Sequence, residues 1–209
     1  GALSFCNGSS VTLTAASGQS YLWSSGDTTQ SITATQAGSY SALVTTVNGC
    51  IDTTSTYITS VFADPDTSVV ASGPLSFCNG GFVTLTAAAG QTYTWSNGAT
   101  TQSITVSQAG AYSATVTSSD GCTGTTAIYT TSVFLGADTS VTASGPLSFC
   151  NGGSVTLTAG AGQTYLWSNG ATTQSITVSQ AGSYSATVTT ADGCVGTTAT
   201  LMTLSLIHI

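Results

Sequence analysis

The chain has 209 residues with no lysine or arginine, seven acidic residues that are all aspartate, one histidine and a formal charge of −7. Without cations it has nothing to neutralise phosphates, so no nucleic-acid partner, P-loop, phosphate clamp, Schiff-base lysine or attraction to anionic membrane surfaces is expected. Hydrophobic residues make up 41% of the chain, enough for a core, which argues against a self-repelling coil.

The chain opens with GALSFCNGSSVTLTA from Gly1, and the same string returns without a gap as GPLSFCNGGFVTLTA from Gly73 and GPLSFCNGGSVTLTA from Gly145. The period is 72 residues, and Trp23, Trp95 and Trp167 keep it, as do Tyr40, Tyr112 and Tyr184. From Gly73 to Ala127 only seven of 55 positions differ from the next copy. The chain is three copies of one module, each of a size that suits a small domain.

Within a copy the elements alternate with period two. In the third, Val155, Leu157 and Ala159 alternate with Thr156 and Thr158. Tyr165 and Trp167, then Ile176 and Val178, then Tyr184, Ala186 and Val188 repeat the pattern with Thr, Ser or Leu between. Asn151-Gly152, Asn169-Gly170, Ala181-Gly182 and Asp192-Gly193 close the runs as turns. No stretch of ten residues has a helical period. Six or seven short strands per copy predict an all-β chain of three tandem immunoglobulin-like β-sandwich modules. Ser and Thr, 32 and 42 by count, fill the solvent faces where Lys and Glu usually stand. Such faces lack the charges that block edge-to-edge pairing.

The junctions DPDTSVVASG (Asp64–Gly73) and GADTSVTASG (Gly136–Gly145) read as linker plus first strand. The expected modules are therefore 1–63, lacking its first strand, then 64–135 and 136–203. Residues 204–209, LSLIHI, depart from the repeat, and the string is what the end of a common transposase sequencing adapter encodes. The expectation is that this tail, which holds the single His208, is not part of the protein. There is no starting Met, no visible signal peptide and no run of 18 apolar residues, so the chain is expected to be a piece of something longer without a membrane span.

FCNGGSVTLTA, then YLWSNG, then TTQSITVSQAGSYSATVTTADGC resemble the immunoglobulin-like and PKD-like repeats of secreted Bacteroidota surface proteins, over nearly the whole chain. Their most specific parts are Trp-Ser-x-Gly, Ala-Gly-x-Tyr-x-Ala and the following Gly-Cys. The Ala-Gly-x-Tyr element resembles a tyrosine corner, in which the hydroxyl bonds back to upstream backbone. One departure is that Ala186, not Cys, stands two residues after Tyr184. The resemblance implies a secreted or cell-surface protein of adhesin, filament or spacer type.

Two cysteines per copy, with no His or Glu near them, point to disulfides rather than metal. Two arrangements respect the repeat. Cys6–Cys50, Cys78–Cys122 and Cys150–Cys194 would close one loop of about 45 residues per module, worth about 4 kcal/mol in the chain-entropy treatment. Alternatively, Cys50–Cys78 and Cys122–Cys150 would staple neighbours. The first is the expectation, and either needs an oxidising compartment.

Other candidates have a bland reading beside the functional one. Trp23, Trp95 and Trp167 are either sugar platforms or core, and core is expected because each shares a face with the Tyr two residues earlier. Leu22, Thr94 and Leu166 then face outward. Asp64, Asp66 and Asp138 are either a calcium site or turn formers, and turns are expected, because Gly136 stands where the first junction has Asp64. Asp120 and Asp192, each before Gly, read as turn residues. Thr12 and Thr14, with their equivalents in the other copies, resemble an ice-binding row but are ordinary for a solvated strand. Asn7-Gly8-Ser9 is a sequon. Asp27-Thr28-Thr29 and Asp52-Thr53-Thr54 look like the O-glycosylation motif of the same lineage, making Thr28 and Thr53 the candidate sites; Asp66-Thr67-Ser68 and Asp138-Thr139-Ser140 match in part.

With acid–base chemistry left to Asp, Tyr and Cys, no enzyme, catalytic residue, cofactor or metal is expected. The expected role is a disulfide-locked rod within an extracellular filament or repetitive adhesin, self-associating and carrying glycan, with no trypsin site. The rivals are a glycan-binding adhesion module and a spacer in a larger secreted enzyme.

Overall fold

A computed structural model describes residues 3–88 and 91–206. All regular structure among them is β-strand. The first copy holds β1 (Leu3–Cys6), β2 (Val11–Thr14), β3 (Ser20–Trp23), β4 (Ser31–Ala34), β5 (Gly38–Tyr40), β6 (Ala42–Thr45), β7 (Ile51–Thr53) and β8 (Tyr57–Phe62). The second holds β9 (Val69–Ala71), β10 (Ser76–Cys78), β11 (Val83–Ala87), β12 (Thr92–Trp95), β13 (Ser103–Val106), β14 (Gly110–Tyr112), β15 (Ala114–Thr117), β16 (Thr123–Thr125) and β17 (Tyr129–Phe134). The third repeats these as β18 (Val141–Ala143), β19 (Ser148–Cys150), β20 (Val155–Ala159), β21 (Thr164–Trp167), β22 (Ser175–Val178), β23 (Gly182–Tyr184), β24 (Ala186–Thr189), β25 (Val195–Thr197) and β26 (Leu201–Leu206).

Each complete copy pairs its strands in the same three sets. In the third these are β18-β20-β22, β21-β24-β25 and β19-β26-β23. The strand that ends in the first cysteine runs parallel to the last strand, with Cys6 opposite Phe62 and Cys150 opposite Leu206. The remaining registered pairs are antiparallel. Strand number exceeds the expected six or seven because two long strands are each broken in the middle. Between Leu43↔Thr53 and Tyr40↔Tyr57 the last strand carries one residue more than its partner, a β-bulge. Thr54 sits in it, accepting the Ala42 N–H on its hydroxyl at 3.0 Å and donating its own N–H to the Ala42 carbonyl at 2.9 Å. Thr126 and Thr198 do the same for Ala114 and Ala186.

The chain forms two compact units that cut across the middle copy: Gly1–Ser72, Thr84–Ile104 and Ala111–Tyr129 form one, and Gly73–Val83, Thr105–Gly110 and Thr130–Ile209 the other. The first unit is built on a core of Leu13, Ala15, Trp23, Ile32, Ala34, Ala42 and Val44. The second is built on Val155, Leu157, Ala159, Trp167, Ile176, Val178, Ala186 and Val188. These are the apolar positions of the sequence alternation, so the pattern placed the inner face correctly. The boundary expected at 203 falls inside β26. Leu204–Leu206 carry that strand to its end beside β19, as the second copy's Ser132–Phe134 do beside β10. His208 lies outside the described residues.

Candidate functional site: paired and unpaired cysteines

The cysteines do not pair as expected. The bonds are Cys6–Cys122 and Cys78–Cys194, each spanning 116 residues, with Cα–Cα separations of 5.5 and 5.6 Å. The first cysteine of one copy joins the second cysteine of the next. Neither Cys6–Cys50 nor Cys50–Cys78 forms, and Cys50 and Cys150 are free and exposed. Strand direction explains this. Cys6 ends β1 beside Phe62, the end of β8. Cys50 immediately precedes β7, the start of the same long strand. The path from Cys50 to Phe62 runs about 40 Å at ~3.3 Å per residue, whereas bridged cysteines lie within about 7 Å between Cα atoms. The two cysteines of a copy therefore mark its opposite ends.

Each bond is contained in one compact unit. In the first unit the linker also crosses the start of β16. A Cβ built on Gly124 would sit 2.7 Å from Thr67 Cγ2 and 3.2 Å from Pro65 Cγ. In the second unit Gly196 meets Thr139 Cγ2 and Ala137 Cβ at 2.6 and 3.2 Å in the same way. Asn7 Nδ2 donates to Asp64 Oδ2 at 2.9 Å, tying the linker to the loop after β1. The Cys6–Cys122 bond and the Asn7–Asp64 hydrogen bond thus fasten the first copy to the second, whose own linker is laid over its glycine.

The aspartates serve these junctions as turn acceptors. Asp66 accepts the Ser68 N–H at 2.8 Å and Asp138 the Ser140 N–H at 2.9 Å. These backbone donors, helped by the hydroxyls of the same serines, hold both carboxyls below the ordinary aspartate value. Asp64, Asp66 and Asp138 are not part of a metal-binding group among the described residues.

Trp23, Trp95 and Trp167 are each 2% exposed, so they are core and not platforms. Each indole N–H donates to the carbonyl of the threonine six residues on, at 2.8, 2.9 and 2.8 Å. Leu22 and Leu166 on the opposite face are about half exposed. Tyr40 and Tyr184 donate from their hydroxyls to the carbonyls of Gln36 and Gln180 at 3.4 Å, the back-bond of a tyrosine corner. The Thr rows are tied across strands, as in the 2.9 Å contacts Thr14–Ser31 and Thr158–Ser175. Thr28, in the turn after β3, and Thr53, on the edge strand β7, are exposed.

No protein-family model matches the chain, and no curated protein matches it. Among solved structures it is similar to extracellular domains 3–5 of Drosophila OTK, at 14% identity and TM-score 0.39, over 99% of this chain and 94% of that one. It is similar to murine CEACAM1b at 12% identity and TM-score 0.34, over 66% of this chain and all of that one. A third is SGBP-B of the Bacteroides ovatus mixed-linkage glucan utilization locus, solved with a mixed-linkage heptasaccharide. It matches at 15% identity and TM-score 0.25, over 99% of this chain and 66% of that one.

Proposed function

We propose that the chain is a structural, non-enzymatic component of an extracellular bacterial filament or repetitive surface adhesin. Its copies are locked to their neighbours by disulfides so that the array keeps its length under load. The observation behind this reading is the pair of bonds Cys6–Cys122 and Cys78–Cys194. A bond inside a module stabilises that module alone, whereas these join consecutive modules and would be reduced in a cytosol. The neutral hydroxyl faces and the absence of any trypsin site fit an exposed fibre. Glycan on Thr28 and Thr53 would cover bare strand surface that no charge protects.

Electron microscopy of surface material from the producing cells, with an antibody raised against the chain, tests the reading. Labelled extracellular fibres whose peptides contain the Cys6–Cys122 bond support it. Label confined to the cytosol, or Cys6 and Cys122 recovered as thiols, would end it. Intact mass of the native material reports on the sugar: a mass equal to the bare chain removes that part of the proposal.

A further inference from the structure

We infer that the chain is a substrate of a thiol–disulfide isomerase, a Cys-x-x-Cys enzyme that reopens wrongly paired cysteines, and that oxidation alone does not make its bonds. Each bond passes over two other cysteines. Cys50 and Cys78 lie between Cys6 and Cys122, and Cys122 and Cys150 lie between Cys78 and Cys194. Every bonded cysteine therefore has a wrong partner nearer to it in the chain than its right one.

Chain statistics favour the wrong partners. Cys6 is 44 residues from Cys50 and 116 from Cys122. The chance of closing a loop falls as the three-halves power of its length, so an unfolded chain brings Cys6 to Cys50 about four times as often. Cys50 and Cys78, 28 residues apart, meet about eight times as often as Cys6 and Cys122. The fold cannot absorb these errors. Cys6 sits beside Phe62 at the end of β8, and Cys50 precedes β7, about 40 Å of strand away. A first copy that carries a Cys6–Cys50 bond cannot lay β1 against β8. The third copy repeats the geometry, with Cys150 beside Leu206 and Cys194 before β25. A bond inside either copy holds that copy unfolded. An oxidant only adds bonds and does not release it, whereas a thiolate does.

The native bonds, once made, leave the exchange. Cys122 and Cys194 are each 1% exposed. Their N–H groups are bound to Ser118 Oγ at 3.2 Å and Thr190 Oγ1 at 3.0 Å, which fixes both residues in their turns. Attack on the Cys122 or Cys194 sulfur is blocked by this cover. Attack on Cys6 or Cys78 expels a thiolate into a buried position, where charge is costly. In a mispaired, unfolded chain every sulfur is open. Exchange therefore runs toward Cys6–Cys122 and Cys78–Cys194 and stops there.

For the Cys6–Cys50 error, the isomerase thiolate attacks the Cys6 sulfur and releases the Cys50 thiolate, leaving Cys6 in a mixed disulfide with the enzyme. The Cys122 thiolate then attacks the Cys6 sulfur, forms Cys6–Cys122 and returns the enzyme thiolate. One disulfide breaks and one forms. The proton that Cys122 gives up ends on Cys50, and no electrons are gained or lost.

This goes beyond the structural role proposed above and is tested apart from it. The reduced 209-residue chain in urea is diluted into diamide, which oxidises thiols without supplying any. A second sample then receives reduced glutathione and a catalytic amount of a bacterial Cys-x-x-Cys isomerase. Bonds are mapped in non-reduced peptic peptides. With diamide alone, Cys6–Cys50, Cys50–Cys78 and Cys78–Cys122 should together outnumber Cys6–Cys122 several-fold. The isomerase should convert them to Cys6–Cys122 and Cys78–Cys194. Cys50→Ser should raise the native share under diamide alone, because it removes the nearest competitor for Cys6. Native bonds formed as fully with diamide as with isomerase, no gain from Cys50→Ser, or wrong bonds that the isomerase leaves in place would each overturn the inference and leave the stapled array standing. Absence of Cys6–Cys122 from chain isolated from the producing cells would remove both readings.

Discussion

Trp95 and Leu166 occupy opposite faces of equivalent strands, and the alternation of the sequence distinguishes them. Trp95→Ala removes a side chain that is 2% exposed and should cost about 3–5 kcal/mol, while Leu166→Ala, at a half-exposed position, should stay within about 0.5 kcal/mol. Urea midpoints of the oxidised chain measure both. Asp66 and Asp138 are expected to contribute to the acid limb of stability. Their folded-state values lie below the ordinary 3.8 because backbone N–H groups bind the carboxylate form. They therefore contribute stability that is present above the unfolded value and is lost as pH falls through the folded one. Asp66→Asn with Asp138→Asn keeps an acceptor in each turn but removes the titration. The double variant should lose less stability than the parent between about pH 4 and pH 2 in acid titrations followed by tryptophan fluorescence; an unchanged acid slope would show that these carboxylates do not matter there. Core, turn and outward residues were legible because burial follows a local period of two. The cysteine partners were not. Both cysteines carry the same 72-residue period, so spacing cannot distinguish a bond within a copy from one to the next.

Strand direction, which no alternation encodes, resolves that ambiguity. The signal available in the sequence was positional: Cys6 ends the strand β1 and Cys50 precedes the closing one. Once β1 is known to run parallel to β8, the two cysteines must lie at opposite ends. The long strands broken at Thr54, Thr126 and Thr198 were equally hidden, because a bulge adds one residue without changing composition. The linker's seat on β16 gives a test at this scale. Gly124→Ala places a methyl 2.7 Å from Thr67 Cγ2, so the strand or the linker must move, at a cost of about 1–3 kcal/mol. Thr67→Ser removes that Cγ2. The double variant Gly124→Ala with Thr67→Ser should recover much of the loss, and a double-mutant cycle in urea should return a coupling of at least about 0.5 kcal/mol. Strict additivity would mean that the linker does not rest on this strand.

The two bonds overlap, since Cys78 lies inside the loop closed by Cys6–Cys122, and Cys122 inside that closed by Cys78–Cys194. In the chain-entropy treatment, closing a 116-residue loop removes about 5 kcal/mol of unfolded-state freedom; the second, sharing residues with the first, removes less. The mechanical consequence is larger. With both bonds intact, the shortest covalent route from end to end takes in residues 1–6, 78–122 and 194–209, roughly 70 residues or about 240 Å at ~3.4 Å each. The reduced chain can reach about 710 Å on the same scale. Pulled from its termini in an optical trap, the oxidised chain should stop at about a third of the extension that it reaches after reduction. Cys122→Ser should lengthen the route by opening the first loop while leaving the second closed. If the oxidised and reduced chains extend equally, the bonds do not carry the load, and a mechanical purpose for joining consecutive copies fails even though the modules remain folded.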